Sequence, residues 1–198
     1  MSRWALIPVK GFDRGKSRLS GVLEPNERAA LTRGLFEHVV QVLKSAPSVQ
    51  GIAVVSDSED ARKHAENLGV LALKDPEGSA GLADVVDAAL ATLESAGATS
   101  ALVCMSDLPE LSPDDIESVG RQLDEADVVL VPDLLQRGTN VIAVRPPSVL
   151  PSCLGHADSL ERHRDLARNL GLTVSVQLRN GIGFDVDHPR DLDRLRRG

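Results

Sequence analysis

The sequence predicts a single α/β domain built on a mostly parallel sheet, and three observations carry that expectation. Short apolar runs of strand length alternate with segments of helical periodicity from end to end. The 198 residues fit one domain at roughly 100–200 residues each, and 42% hydrophobic side chains give ample material for a core. No internal repeat, low-complexity segment or linker divides the chain, so one domain over residues 1–198 is expected.

The elements follow in order. Residues 3–9, RWALIPV, form an apolar run ending at a loop and read as a buried strand. Over 24–46, Ala29, Leu31, Leu35, Val39, Val42 and Leu43 share one broad helical face, with Pro25 suited to the first turn. A strand at 51–57, a helix at 58–69 stopped by Gly69, a strand at 70–74 and a helix at 82–97 ending at Gly97 come next. The strand at 100–107 leads to a helix that Ser112 caps, with Pro113 at its first position and acids in its first turn. Strands at 127–133 and 139–147, a helix at 158–171, a strand at 172–178 and a terminal helix at 189–197 complete the chain.

Composition removes several classes of function. A net charge of −7 and only four aromatics (Trp4, Phe12, Phe36 and Phe184) argue against a nucleic-acid binder, which needs basic surface and stacking platforms. No apolar run approaches the roughly 20 residues of a membrane span, and the start MSRWALIPVK has one Arg and too short an apolar run for a secretory leader. The expected location is the cytoplasm. Cys104 and Cys153 stand apart from any C-x-x-C pair, so a structural zinc site is not expected, and Cys104 reads as core.

In a sheet of this kind ligands bind beyond the carboxyl ends of the strands, so the loops after Val9, Ser106 and Val131 are expected to share one crevice. The first is IPVKGFDRGKSRLS, residues 7–20. Its Gly-x-x-x-Gly-Lys-Ser has three residues between the glycines where a Walker A loop needs four, and Gly21 and Pro25 delay the next helix. Lys10, Lys16 and Arg18 nevertheless follow a strand directly, and glycines at 11 and 15 let the backbone come close to a ligand. The loop reads as a polyphosphate cradle, the alternative being a solvated charged turn.

The acids form the second constellation. Asp107 ends an apolar strand, and GFDVDHPRDL places Asp185 and Asp187 two residues apart, on one side of an extended segment. Two carboxylates projecting together, with Asp107 as a third, suit a hard cation such as Mg²⁺, which takes carboxylates together with substrate phosphates. For either residue of the pair alone, service as a helix cap is the competing explanation.

PVKGFDRGKSRLS, SDLPELSPDDI, GTN followed by PP, and FDVDHPRDL, in that order over residues 6–193, resemble the CofC/FbiD guanylyltransferases of coenzyme F420 biosynthesis. The resemblance implies a three-layer α/β nucleotidyltransferase fold, similar to that of the molybdenum-cofactor guanylyltransferase. It implies transfer of GMP from GTP to 2-phospho-L-lactate, phosphoenolpyruvate or 3-phospho-D-glycerate, with release of pyrophosphate. Asp107, Asp185 and Asp187 would hold Mg²⁺. Lys10, Gly11, Lys16 and Arg18 would face the GTP phosphates, with Lys16 counted among the catalytic residues. Thr139, Gly155 and Ser159 would contact the acid. The family's Gly-Leu-Asn stands here as Gly81-Leu82-Ala83, and its Gly-x-x-Ser is one residue longer from Gly155 to Ser159, unless His156 takes the glycine's place. His163 fits the histidine that follows. A homodimer is compatible with this reading. Another nucleotidyltransferase, such as one using CTP, or an inert nucleotide-binding module are the rival readings.

Overall fold

The computed structural model of the protein describes residues 2–195. Seven strands form one sheet: β1 (Arg3–Pro8), β2 (Gly51–Ser56), β3 (Leu71–Lys74), β4 (Ser100–Cys104), β5 (Val128–Pro132), β6 (Thr139–Val144) and β7 (Val174–Val176). Their spatial order is β3-β2-β1-β4-β6-β5-β7. All pairs are parallel except those of β6, which runs antiparallel to β4 and β5. Because β6 is reversed, its first residues lie level with the last residues of β4.

Helices cover both faces. On one side lie α1 (Pro25–Lys44), α2 (Glu59–Asn67), α4 (Pro113–Leu123) and the four-residue α6 (Asn180–Gly183); on the other lie α3 (Leu82–Ser95) and α5 (Ser159–Asn169). Alternate strand residues divide between two cores. Ile7, Val54, Leu102 and Val129 face α1, α2 and α4, whereas Leu6, Val55, Val103 and Leu130 face α3 and α5. Strands buried on both faces have no polar side, which is why they read as unbroken apolar runs. Cys104 sits in the first core, as expected.

The expected elements all occur, with shorter ends. The run at 100–107 leaves the sheet after Cys104, and the run at 172–178 keeps only three strand residues at the sheet edge. The terminal helix, α7, spans Pro189–Leu195, and the remainder of its expected range lies outside the described residues. Among those residues, no helix is long and apolar enough to cross a membrane.

Sheet order reverses between β1 and β4, since the chain runs from β1 outward to β2 and β3 and then returns to β4 on the other side. The loops leaving these two neighbours diverge and open a crevice, as the strand order requires.

Candidate active site

The basic loop is held by anchors along its length rather than by a helix. Two short 3-10 turns, Phe12–Arg14 and Ser17–Leu19, replace the helix that a Walker A loop would start. Phe12 is buried against Phe36 and the edge of His64, both ring centroids 5.7 Å away. Arg14 donates two hydrogen bonds to Asp57, at 2.7 and 2.6 Å, tying the loop to the end of β2. At Gly15 a Cβ would lie 2.6 Å from Thr32 Oγ1, so the loop backbone rests directly on α1. Leu19 is fully buried.

Lys16 sits between these anchors in the left-handed region, at φ 55° and ψ 39°. An L-residue with a long side chain is uncommon there. Strain of this kind persists where the surroundings enforce it. The backbone turn aims the Lys16 side chain inward, leaving it only 7% exposed. Its Nζ donates to Asp107 Oδ2 and, at 3.3 Å, to Asp187 Oδ1. Burial alone would lower the Lys16 pKa, but the Asp107 and Asp187 charges outweigh it and hold the ammonium above its ordinary value. Arg18 forms an ion pair with the other Asp187 oxygen.

The carboxylates come from two distant parts of the chain. Asp107 follows β4, and residues 184–187 form an irregular stretch whose first residue has extended backbone angles, φ −92° and ψ 110°. Val186 N–H donates to the Asp107 carbonyl at 3.3 Å, and the Val186 side chain is fully buried. Asp185 and Asp187 therefore project away from Val186. Carboxylate oxygens of Asp107, Asp185 and Asp187 all lie within 4.8 Å of one another. Among the described residues this is the only such grouping of three or more His, Cys, Asp or Glu. Burial, then the charges of Asp107 and Asp187, push the Asp185 carboxyl up from 3.8 to about 6. Partly buried oxygens that repel one another fit a hard divalent cation, which removes the repulsion and accepts all three ligands. Asp191 Oδ2, in the first turn of α7, accepts from the Asp187 and His188 amides at 2.9 and 2.6 Å and so fixes the backbone of the acidic segment.

Thr139 opens β6 and is buried, as are Ser159 and His163 on α5. Ser159 Oγ donates to Thr139 Oγ1 at 3.2 Å, and His163 Nδ1 lies 3.2 Å from the same oxygen. The Cys153 amide donates to His163 Nε2 at 2.8 Å. Gly155 occupies the turn before α5 with φ +93°, a conformation that favours glycine, and faces Leu82 at the start of α3. It makes no side-chain link to the Thr139 group. Gly11 is buried where a Cβ would meet Asp13 and the Arg14 guanidinium, while Lys10 is exposed on the rim beside Asp57.

Beside the acids opens a cleft of about 810 Å³ lined by Arg18, Arg137, Gly138, Ala157, Asp185 and Asp187, among others. The loop after β5 forms one wall, so the three predicted loops do converge. Sequence reasoning gave no role to Asn140, whose Nδ2 donates to the Ile182 and Gly183 carbonyls at 2.9 and 3.3 Å and reaches Asp185 at 3.5 Å. An Asn as the second residue of an otherwise apolar run was the available signal. The Arg14–Asp57 tether had none, because it joins residues that only the fold brings together.

Comparison with known proteins agrees with this architecture. A family model described as "Guanylyl transferase CofC like" matches residues 3–196. A phosphoenolpyruvate guanylyltransferase of Sphaerobacter thermophilus is 34% identical over 98% of this chain and 93% of its own. A 2-phospho-L-lactate guanylyltransferase of Methanothermobacter thermautotrophicus is 31% identical over 98% and 84%, and a 3-phospho-D-glycerate guanylyltransferase of Phenylobacterium zucineum 30% over 98% and 89%. Among solved structures, a protein of Desulfovibrio desulfuricans G20 assigned to the nucleotide-diphospho-sugar transferases superposes with a TM-score of 0.83, at 21% identity over 100% of this chain and 87% of that one. The CTP complex of CMP:2-keto-3-deoxy-manno-octonic acid synthetase gives 0.68, at 16% identity over 100% and 98%. At these identities the superpositions speak for the fold alone.

Proposed function

Since the chain belongs to the CofC-like guanylyltransferase family, we propose that it joins GMP from GTP to a small phosphorylated carboxylic acid, with release of pyrophosphate, in coenzyme F420 biosynthesis. Phosphoenolpyruvate, 2-phospho-L-lactate and 3-phospho-D-glycerate are the candidate acids. Phosphoenolpyruvate is the first to test, because four relatives at 34–36% identity carry that name. The observation that carries the reading is the meeting of Asp107, Asp185 and Asp187 with Lys16 and Arg18 where the sheet order reverses.

A phosphate oxygen of the acid attacks the α-phosphorus of GTP in line. The new P–O bond forms as the bond to the β-phosphate bridging oxygen breaks, and pyrophosphate departs with that electron pair. The attacking phosphate has its second pKa near ~6 and is largely dianionic at neutral pH, so no general base is required. The barrier lies in bringing two anions together. At 4 Å, two unit charges repel by about 4 kcal/mol at an effective dielectric of about 20. Mg²⁺ held by Asp107, Asp185 and Asp187 would supply charge neutralisation between the reactants. Lys16, fixed by its backbone and burial, presents an ammonium at the same point, and Arg18 adds a guanidinium for the departing pyrophosphate. Thr139, to which Ser159 donates its hydroxyl proton, would hold the acid. Local cations thus serve an anionic reaction inside a protein of net charge −7.

The test is incubation with Mg²⁺, each of the four nucleoside triphosphates and each acid in turn, with pyrophosphate detection and mass spectrometry of the adduct. A GMP-linked acid formed from GTP supports the reading. A CMP or AMP adduct replaces guanylyl transfer with a related reaction. Absence of any adduct or pyrophosphate across the panel refutes nucleotidyl transfer.

A further inference from the structure

His163 is fully buried and bonded through both ring nitrogens, yet it faces neither the carboxylates nor the basic loop. Its tautomer follows from one contact. A backbone N–H can only donate, so the Cys153 amide at 2.8 Å makes Nε2 the acceptor, and the neutral ring then carries its proton on Nδ1. Burial pushes the ring down to about 4, so it is neutral near pH 7.

Nδ1–H therefore donates to Thr139 Oγ1 at 3.2 Å, and Ser159 Oγ–H donates to the same oxygen at 3.2 Å. A threonine hydroxyl has two acceptor sites and one proton. With both acceptor sites filled from α5, its own O–H has no direction left except away from that helix. We infer that His163 is a positioning residue: it and Ser159 fix Thr139 as a hydrogen-bond donor to the anionic acid substrate. The inference rests on the proposed guanylyl transfer. A hydroxyl free to rotate would present a lone pair to the anion part of the time and repel it. Held as a donor, it is complementary to a carboxylate or phosphate before the substrate arrives.

Two substitutions separate the ring's two bonds. His163→Gln places an oxygen near the Nε2 position and keeps an acceptor for the Cys153 amide, but loses the Nδ1 donor. His163→Asn places an NH₂ near the Nδ1 position and keeps the donor to Thr139, but leaves the Cys153 amide unpaired. H163Q is expected to raise KM for the acid about tenfold, the scale of one hydrogen bond to a charged group, with KM for GTP unchanged. H163N is expected to recover most of that loss while lowering the melting temperature. Equal losses in both variants, parallel changes in both KM values, or an unchanged acid KM in H163Q would overturn the assignment. Long-range ¹H–¹⁵N correlation of the imidazole in the wild-type protein reads the tautomer independently of turnover, and a proton on Nε2 would overturn it even in an active enzyme. A wild-type protein that makes no adduct removes the guanylyl-transfer reading itself and the substrate role with it, a result visible before any variant is made.

Discussion

Replacing Asp185 with Asn is expected to stabilise the metal-free protein while abolishing its activity. The Asp185 carboxyl is raised from 3.8 to about 6, first by burial and then by Asp107 and Asp187. The unfolded chain releases this proton near pH 4, whereas the fold retains it until near pH 6. Between those values the folded state binds more protons, so the contribution of this group to stability falls as pH rises and stays low above pH 6. At full strength the displacement amounts to roughly 3 kcal/mol. The side chain is only partly buried, and screening by solvent reduces the figure to about 1–2 kcal/mol. D185N removes the charge at nearly constant volume and keeps an oxygen for Asn140. Urea unfolding in EDTA should show the variant more stable than wild type by about that amount at pH 8, with the gap closing toward pH 4. Added Mg²⁺ should stabilise the wild type and leave the variant unmoved. A variant less stable than wild type at pH 8, or a gap that does not change with pH, would refute the account of Asp185 as a strained member of a cation site.

Four further substitutions probe the crevice. Lys16→Ala should cost at least tenfold in kcat/KM for GTP, about 1.4 kcal/mol, and unchanged kinetics would return the loop to an ordinary surface turn. Gly15→Ala puts a methyl group 2.6 Å from Thr32 Oγ1 and should raise KM for GTP by lifting the loop off α1. Thr32→Ala in the same chain removes the obstructing atoms and should restore it, a coupling that a double-mutant cycle measures. Asn140→Leu leaves the buried Ile182 and Gly183 carbonyls without their donor and should cost about 1–3 kcal/mol in urea unfolding, with loss of activity as Asp185 loses its support.

What the sequence disclosed, it disclosed through local chemistry. Ser112-Pro113 with Asp115 three residues on announced α4, and the reciprocal cap is present: Asp115 N–H donates to Ser112 Oγ at 3.3 Å, and Ser112 N–H to Asp115 Oδ2 at 3.1 Å. The cap of α1 was hidden, because Glu24 is not among the residues that favour that position. The direction of β6 was equally hidden, since a strand buried on both faces carries no mark of orientation in its apolar run. The two-residue spacing of Asp185 and Asp187 foretold that they share a side. That Lys16 would lie against Asp107, 91 residues away, could not be read, because no local rule links them. Ser159 and His163 were named only through the family resemblance. Their convergence on Thr139 depends on how α5 meets the sheet.

Leu19 carries a consequence for how the crevice works. It packs in a small apolar cluster with Leu35, Phe184, Val186 and Leu192, so the cation-bearing loop and the acid-bearing segment share one footing although 165 residues separate Leu19 from Phe184 (184 − 19). Prising the loop away would uncover Leu19 and its neighbours at about 1.5–3 kcal/mol for each side chain exposed. On the proposed function, both sides of the crevice are thus fastened together before the reactants enter, and little of their binding energy would be diverted into closing it.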